Sequence, residues 1–420
     1  MYSSNQIKIL IIVNWYPPDK EVAARRWGNI VFELQNSGFK CTIVIVGPDE
    51  MKSFQGNSGE KILNFTIEKK SVLKGNQEKK VKRTFCFLIK LKRQIVNFIP
   101  EYILSRYLRN VRINKKIINY LNDAAIESDF VISSFGEWNA FIIGYKLALK
   151  YNKPWIADIR DWFEHKTNYN KHWPIQYIDR LLTMKMLQKA YLRLTVGTFL
   201  SKFLSDYYKC TFHAIYNGWT DNDVLSIGKE LFSNNKYLFY AGTIYNHQLS
   251  GLKVLIEALK SFPEICLKLR LLKDSTKVGM KKWIEQNNYS DRVMLLPPAN
   301  IEVIEYELAL SHGVIVIEDI DRLNEAKLGT VTGKLLKLLV SGKPGLAIAA
   351  KQSEINYLTS KANGWYCVDN IDDCKNAIKI ITIHETVVDN TAVLKEYNMR
   401  VQAGKLLQMI KSIHSQNNNI

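Results

Sequence analysis

Short apolar runs alternate with amphipathic stretches along most of the chain. KILIIV at residues 8–13 is apolar after its first residue and precedes AARRWGNIVFELQN, in which apolar residues recur three or four positions apart. A second apolar run, KCTIVIVG, follows a glycine that ends the amphipathic stretch. Apolar runs of this length predict buried strands, and the recurrence predicts a helix that packs on them. The chain is therefore expected to open with a strand, a helix and a second strand.

The same alternation continues and restarts after a polar stretch. Residues 221–236, DNDVLSIGKELFSNNK, are the best candidate for a linker, and KYLFYAG at 236–242 begins the second series. Strands that alternate with helices form parallel sheets. We therefore predict an α/β protein with two Rossmann-like parallel-sheet domains, at residues 1–220 and 237–394, that face each other across a cleft. Residues 395–420 are expected to form a helix that returns to the first domain and ends in a frayed tail.

Length and composition indicate a globular protein. The chain has 420 residues, of which 47% are hydrophobic, so it can bury large cores. Its six cysteines are scattered without a C-x-x-C pair, which predicts neither a zinc site nor a disulfide framework. The first apolar run contains Lys8 and precedes a Pro-Pro pair, so it matches neither a signal peptide nor a membrane span. These features predict a protein of the reducing cytoplasm.

Most of the net charge of +18 lies in one segment. Residues 52–116 contain 17 lysines and arginines but only four acidic residues. Within it, residues 79–104 mix basic side chains with aromatic and aliphatic ones, as in a helix that lies on an anionic bilayer. A solvated basic face over an ordinary core helix fits the pattern equally well. Such patches also bind nucleic acid, but no nucleic-acid-binding module accompanies this one, so nucleic acid is not an expected partner.

The stretch LGTVTGKLLKLLVSGKP, residues 328–344, combines a helix pattern with a start that suits an anion. Its leucines recur on one face, and Gly342 followed by proline ends the predicted helix. The first turn would present unpaired N–H groups and a mobile charge at Thr330, Thr332, Gly333 and Lys334. A Walker P-loop is excluded because Leu328 and Leu335 occupy its glycine and hydroxyl positions. Taken alone, the pattern also fits an ordinary helix cap.

Several short motifs occur in a fixed order along the chain. They are NWYPPD with AARRW, ISS with PWIADIRD, IYNGW, YAGTIYN, TGKLLKLLVSGKP and YNMRVQAGKLL. In this order they resemble bacterial glycosyltransferases of the GT-B fold, specifically the large retaining family 4 and its enzymes of surface polysaccharide, lipopolysaccharide and capsule synthesis. The resemblance covers nearly the whole chain. It implies that the C-terminal domain holds a nucleotide-sugar and that the N-terminal domain holds most of the acceptor site.

The resemblance also assigns roles in the second domain. It implies that residues 330–334 bind the donor diphosphate, where Lys334 and N–H groups stabilise the charge that develops on the leaving nucleotide. No metal ion and no cofactor besides the nucleotide-sugar substrate are then expected. The EDID stretch, 318–321, could hold a metal, but in a GT-B chain it is a strand end with Glu318 near the donor sugar. Asn300 lies in a loop that borders the base in relatives.

A glycine-containing turn follows the first strand of the second domain. The residues concerned are Gly242, Thr243 and Tyr245. A Gly-Thr turn at this place would let a donor approach the backbone closely. A plain connection between a strand and a helix would have the same sequence, so both interpretations stay open.

Charged side chains follow strands in the first domain, where parallel sheets bind ligands. They are Arg25, Arg26, Asp158, Arg160 and Asp161. Paired arginines can bind a pyrophosphate in a bidentate manner, and they equally suit ion pairs with Asp158 or Asp161. We expect Asp158, Arg160 and Asp161 to line the cleft. The pattern does not select an aspartate as a base, because a retaining transfer can use the leaving phosphate for that role.

Two departures from the family pattern concern catalysis. Family members carry a glutamate that binds the ribose hydroxyls five residues before the glycine of the Gly-x-Pro helix end, and Lys337 occupies that position here. Lysine has no acceptor for hydroxyl protons, so this contact cannot form. The chain also has no histidine between Ser133 and Lys150, where many relatives place one near the reacting sugar.

The sequence therefore predicts a hexosyltransferase that moves a sugar, with retention, from a nucleotide-sugar to a lipid-linked saccharide. The protein is expected to be cytoplasmic and peripheral at the inner face of the membrane, with the anionic membrane surface as a partner. Two alternatives remain. One is a catalytically weak GT-B-like binding or partner protein, which Lys337 favours, and the other is a sugar-nucleotide epimerase on the same fold.

Overall fold

The computed structural model describes most of the chain outside the basic segment. The described residues are 6–19, 22–47, 53–55, 61–66, 115–162, 173–224, 232–233, 235–271, 274–321, 328–329, 331–383 and 387–417. The expected membrane-binding stretch 79–104 and the candidate Thr330 lie outside them. Among the described helices, none is both long and apolar enough to cross a bilayer.

Two compact units make up the chain, and each combines separate stretches of sequence. Unit 1 consists of Met1–Val196, Ser201–Ile215 and Ala403–Ile420, and unit 2 consists of Gly197–Leu200 and Tyr216–Gln402. The boundary thus falls a few residues before the position 220 that we expected, and residues 221–236 belong to unit 2. The C-terminal residues from Ala403 onward belong to unit 1.

Unit 1 contains an eight-stranded sheet in the order β3-β4-β2-β1-β5-β6-β7-β8. The strands are β1 (Lys8–Val13), β2 (Lys40–Gly47), β3 (Ser53–Gln55), β4 (Lys61–Thr66), β5 (Phe130–Phe135), β6 (Trp155–Ile159), β7 (Leu192–Thr195) and β8 (His213–Ala214). Its helices are α1 (Val22–Asn36), α2 (Lys115–Glu127), α3 (Trp138–Lys150), α4 (Trp173–Leu187), most of α5 (Thr198–Tyr208) and the part of the last helix from Ala403 onward. All neighbouring strands are parallel except β3, which pairs antiparallel with β4.

The apolar runs lie where a parallel sheet is most buried. β1 lies between β2 and β5, and its residues Ile9–Val13 are all buried. Strands with helices on both faces need apolar side chains on both faces, which explains the continuous rather than alternating pattern. β5 departs from it with Ser133 and Ser134, and both are also buried. Such polar positions need hydrogen-bond partners, and both serines have them: Ser133 accepts from Trp155 and Ser134 donates to Asp158.

Unit 2 contains a six-stranded, wholly parallel sheet in the order β11-β10-β9-β12-β13-β14. The strands are β9 (Tyr237–Gly242), β10 (Cys266–Leu271), β11 (Val293–Leu296), β12 (Gly313–Ile317), β13 (Gly345–Ile348) and β14 (Trp365–Val368). The helices are α6 (Leu249–Leu259), α7 (Asp274–Gln286), α8 (Ile301–Leu310), α9 (Leu335–Leu339), α10 (Glu354–Thr359), α11 (Ile371–Ile383) and the start of α12 (Met399–Asn417).

The strand order of unit 2 reverses between β9 and β12. Starting from β9, the chain places β10 and β11 on one side and β12, β13 and β14 on the other. Helical connections therefore leave the neighbouring strands β9 and β12 in opposite directions, which opens a crevice at their carboxyl ends. Gly242 ends β9, and Glu318 directly follows β12, so both residues lie at this crevice.

A buried glutamate explains why Gly197–Leu200 belongs to unit 2. The Glu354 carboxylate accepts the backbone N–H groups of Thr198 and Phe199, at 2.6 and 3.1 Å, and the hydroxyl of Tyr216. A side chain at Gly197 would overlap with that carboxylate, so only glycine fits there. Burial raises the pKa of Glu354, and the hydrogen bonds from Tyr216 and the two amides oppose the shift.

We expect Glu354→Ala to lower the free energy of unfolding of unit 2 by about 3 kcal/mol, because it leaves buried donors without an acceptor. Chemical denaturation followed by tryptophan fluorescence measures the change. Glu285→Ala provides a control, since this exposed carboxylate lies on α7 and its loss should cost about 0.5 kcal/mol or less. An unchanged denaturation midpoint for Glu354→Ala would contradict the structural role.

Candidate functional site

Lys334 is the central charged group at the crevice of unit 2. It occupies the turn directly before α9, and its ammonium donates a hydrogen bond to the carbonyl oxygen of Ala241 in β9. The ammonium also lies 5.4 Å from the ring centroid of Tyr240, within the range of a cation–π contact. A Cβ at Gly242 would overlap with this ammonium, so the glycine is required for the approach. The structure therefore brings together Gly242 and Lys334, which the sequence analysis named as separate candidates.

The environment of Lys334 lowers its proton affinity. Burial lowers the pKa of Lys334 to about 8, and the carboxylate of Glu318 opposes this shift. Burial also raises the pKa of Tyr240, and the nearby Glu318 and Tyr245 raise it further. The hydroxyl of Tyr240 donates to the carbonyl oxygen of Thr243 at 2.8 Å. Glu318, Tyr240 and Tyr245 therefore share one electrostatic environment with the lysine.

Gln248 joins the ends of β9 and β12, and the sequence analysis did not identify it. Its amide nitrogen donates to the carbonyl oxygen of Ile317 at 2.9 Å and lies 3.4 Å from Oε2 of Glu318. Its amide oxygen accepts from the backbone N–H of Tyr245 at 3.0 Å. The side chain is buried, although it comes from a polar loop in which no residue type stands out. Gln248 therefore fixes the turn that carries Thr243 and Tyr245.

The turn presents two aromatic rings at its surface. The rings of Tyr245 and His247 stack with their centroids 5.6 Å apart and an angle of 4° between their planes. Tyr245 is 57% exposed, so this candidate residue is accessible to a ligand.

Helix α9 is shorter than we expected. It spans five residues, Leu335–Leu339, and Lys334 precedes it, so residues 332–334 form a turn and not a first helical turn. Of the four leucines predicted on the buried face, Leu335, Leu336 and Leu339 are buried, whereas Leu338 is half-buried. The dipole of so short a helix is small. The helix dipole therefore contributes little to the expected anion site. The groups that remain for an anion are the Lys334 ammonium and the half-buried turn residues Thr332 and Gly333.

Lys337 is held by two carboxylates. Its ammonium lies 3.3 Å from Oδ1 of Asp223 and 3.5 Å from Oε1 of Glu305. Lys337 could be recognised from the sequence as a departure from the family pattern. Its two carboxylate partners could not, because they lie far from it in the chain. A lysine at this position is therefore neutralised within unit 2.

Asn300 caps a helix. Its side-chain oxygen accepts from the backbone N–H of Val303 at 3.1 Å, at the start of α8. The preceding loop is tied to the sheet by the buried Arg270, which bonds both carboxylate oxygens of Glu307 and the carbonyl oxygen of Pro297. The side-chain oxygen of Asn300 is thus used in the fold, which leaves its amide nitrogen for the expected contact with a base.

In unit 1, Arg26 and Asp158 form a fully buried ion pair. Arg26 Nη2 lies 3.1 Å from Oδ1 of Asp158, and both side chains have an exposure of 0%. Ser134 donates to the other carboxylate oxygen at 2.7 Å, and Arg26 also donates to the carbonyl oxygen of Ile215. This is the ion-pair alternative left open by the sequence. It corrects the expectation that Arg26 and Asp158 face a ligand, because neither side chain reaches the surface.

The remaining candidates of unit 1 are more accessible. Arg160 is half-buried, with its guanidinium carbon 5.9 Å from the ring centroid of Trp15. Asp161 is exposed just after β6, and Arg25 is half-buried on α1. These three side chains remain candidates for ligand contact. Within the described part of the chain, no cluster of three or more histidine, cysteine or acidic residues is arranged for a metal ion.

The chain resembles known proteins in structure but not in sequence. No protein-family model and no curated protein matches the chain in sequence. Sucrose-phosphate synthase from Thermosynechococcus elongatus is 12% identical with a TM-score of 0.65, and the match covers 98% of this chain and 100% of that one. The lipopolysaccharide outer core galactosyltransferase WaaB is 12% identical with a TM-score of 0.60, over 97% and 99%. HepE from Anabaena, in complex with UDP and glucose, is 12% identical with a TM-score of 0.60, over 97% and 100%.

Matches at this identity establish architecture. They agree with the two Rossmann-like α/β units predicted from the alternation of strands and helices. The narrower relation to family 4 stays a prediction. The chain has the GT-B fold, which it shares with these glycosyltransferases.

Proposed function

We propose that the protein is a glycosyltransferase that takes a sugar from a nucleotide-sugar donor bound in unit 2. The observation that carries the proposal is the ammonium of Lys334, which is desolvated over Gly242 at the crevice between β9 and β12. Parallel sheets bind nucleotides at such crevices, and a lysine beside a glycine turn suits a diphosphate. HepE, which shares the fold, was solved with UDP and glucose.

Lys334 would act on the leaving group. The bond between the anomeric carbon and the diphosphate oxygen breaks, and its electron pair stays on the diphosphate. The charge-assisted contact with Lys334 strengthens as that charge develops, so it lowers the barrier to transfer. Gly242, Thr243, Thr332 and Gly333 would border the diphosphate, and Glu318 and Tyr245 would lie beside the sugar. The nucleotide-sugar is a substrate, and we assign no cofactor and no metal ion.

The finer assignment is transfer with retention to a lipid-linked saccharide in bacterial surface polysaccharide synthesis. In such a transfer, the acceptor oxygen bonds to the anomeric carbon on the face that the diphosphate leaves, and its proton passes to a phosphate oxygen. The motif order supports retention, and WaaB, a lipopolysaccharide galactosyltransferase, shares the fold. The basic segment 52–116 supports work at the inner, cytoplasmic membrane face, with the anionic lipid surface as a partner.

A second candidate is a binding or partner protein without transfer activity. Lys337 favours it, because a lysine cannot accept the ribose hydroxyls that a glutamate accepts in similar enzymes. Incubation with a panel of UDP-, ADP-, GDP- and dTDP-sugars separates the two functions. Release of the nucleoside diphosphate from one donor, accelerated by a saccharide acceptor, would establish transfer. Tight binding of a donor without any release would establish the second function.

Replacement of Lys334 by alanine should reduce sugar transfer by about 100- to 1,000-fold, as for the loss of a preorganised donor to a transition-state charge. The free energy of unfolding should change by about 1 kcal/mol or less, because the lost hydrogen bond is offset by the removal of a buried charge. Initial rates and thermal melting measure the two effects side by side. Lys281→Ala, on the exposed face of α7, is the control for a lysine that should change neither. Transfer at the wild-type rate would reject the proposed role.

Nucleoside diphosphate binding should weaken as the pH rises above about 8. The pKa of Lys334 is about 8, so its ammonium is largely present below that pH and is lost above it. A bound anion favours the charged form, so the midpoint in the complex should lie higher than in the free protein. Calorimetric titration with UDP, ADP and GDP from pH 7 to about 9.5 tests the trend. Lys334→Arg should bind with no midpoint in this range, because arginine stays charged.

The protein should bind anionic vesicles in preference to neutral ones. Each basic residue near such a surface contributes about 1 kcal/mol, and the segment 79–104 contains several. Flotation with phosphatidylcholine vesicles, with and without phosphatidylglycerol, measures the preference, and added salt should reduce it. Replacement of Lys79, Lys80, Lys82 and Arg83 by glutamine should reduce recovery with anionic vesicles. Equal recovery with both vesicle types would contradict the membrane role.

A further inference from the structure

A cluster of one lysine and two carboxylates lies one helical turn from Lys334. Lys337 follows Lys334 by three residues, so the two side chains leave the same side of the chain about one turn, or about 5 Å, apart. The Lys337 ammonium lies between Oδ1 of Asp223 and Oε1 of Glu305, at 3.3 and 3.5 Å. The cluster therefore places two carboxylates, which are hydrogen-bond acceptors, beside one ammonium.

Asp223 is fixed by the fold. Its Oδ2 accepts the backbone N–H of Thr220 at 2.8 Å and the hydroxyl of Thr220 at 3.0 Å, which closes a capping box on the short helix 221–223. Its side chain is 4% exposed. Asp223 therefore anchors the lysine and offers little of its carboxylate to a ligand.

Glu305 is more exposed than Asp223 and makes fewer hydrogen bonds. It lies on the second turn of α8, and its side chain is 35% exposed. Its contact with Lys337 uses Oε1, and among the described residues no hydrogen bond to Oε2 is formed. The lysine thus orients a carboxylate whose second oxygen has no hydrogen-bond partner among the described residues.

A nucleoside diphosphate held by Lys334 would bring a suitable partner to this carboxylate. The ribose follows the α-phosphate by a single methylene linkage, so its hydroxyls lie about one helical turn from the phosphates. Hydroxyl groups that leave water need acceptors, and a carboxylate is a strong acceptor. Lys337 has none, whereas Glu305 has one and lies beside it.

We propose that Glu305, oriented by Lys337, accepts the ribose hydroxyls of the nucleoside diphosphate bound at Lys334. Glu305 is then a binding residue, and Lys337 is a positioning residue that acts through it. The lysine at position 337 accordingly leaves the site able to bind ribose, because the acceptor comes from α8. This inference rests on the proposed function, since it requires a nucleoside diphosphate at Lys334.

Binding of nucleotides with and without the hydroxyls tests the inference. The probes are UDP, ADP and GDP and their 2′,3′-dideoxy counterparts, titrated by calorimetry into the full-length protein. For the nucleotide that binds best, removal of the hydroxyls should weaken binding to the wild type by about tenfold or more, as for lost hydrogen bonds to a charged acceptor. Glu305→Ala should weaken binding of the ribose form to a similar degree and reduce the ratio between the two forms to about two or less.

Two further variants separate a ribose contact from a structural effect. Glu302→Ala removes an exposed carboxylate one turn earlier on α8 and should keep the wild-type ratio. Lys337→Met should lower the ratio by releasing Glu305, whereas a merely structural role would weaken both nucleotides equally. An unchanged ratio between the ribose and dideoxy forms in Glu305→Ala, or equal binding of both forms by the wild type, would overturn this inference but not the proposed function. Failure of the wild type to bind UDP, ADP, GDP or dTDP would overturn the proposed function as well.

Discussion

A desolvated ammonium that needs an acceptor is the constraint on which the site of unit 2 depends. Lys334 makes no ion pair among the described residues and is served by the carbonyl oxygen of Ala241 and the ring of Tyr240. This contact forms only because Gly242 has no side chain, and it requires the ends of β9 and β12 to lie side by side. Burial lowers the pKa of this lysine, and the carboxylate of Glu318 opposes the shift. A bound diphosphate would bring a direct counter-charge to this ammonium.

The presence of two α/β units could be predicted from the sequence because each apolar run carries its own signal. KILIIV and KYLFYAG are recognisable alone, and their alternation with helices indicates parallel sheets. The length of α9 could not be predicted in this way. The leucine pattern of residues 335–339 marks a buried face, but it does not show that the helix begins only after Lys334.

Polar partners were the least predictable part of the site, because they join residues far apart in the chain. Gly242 and Lys334 could each be proposed from motifs, whereas Gln248 and Glu305 lie in stretches without any distinctive pattern. For Arg26 the sequence allowed either a ligand phosphate or an aspartate of the protein as the partner. The structure shows a buried ion pair with Asp158. A charged residue in a motif therefore indicates that a partner exists, but its depth in the fold decides whether that partner is the protein or a ligand.

The division of the chain also sets an order for its folding during synthesis. Unit 1 includes Ala403–Ile420, in which Leu406 and Ile410 are fully buried and His414 lies 6.0 Å from the ring of Phe130. These residues follow all of unit 2 in the chain, so a ribosome completes unit 2 before it has made this part of unit 1. Domains generally fold as units while synthesis proceeds. The nascent protein therefore carries a complete second unit while the first unit still lacks Leu406 and Ile410, which are buried in the finished protein.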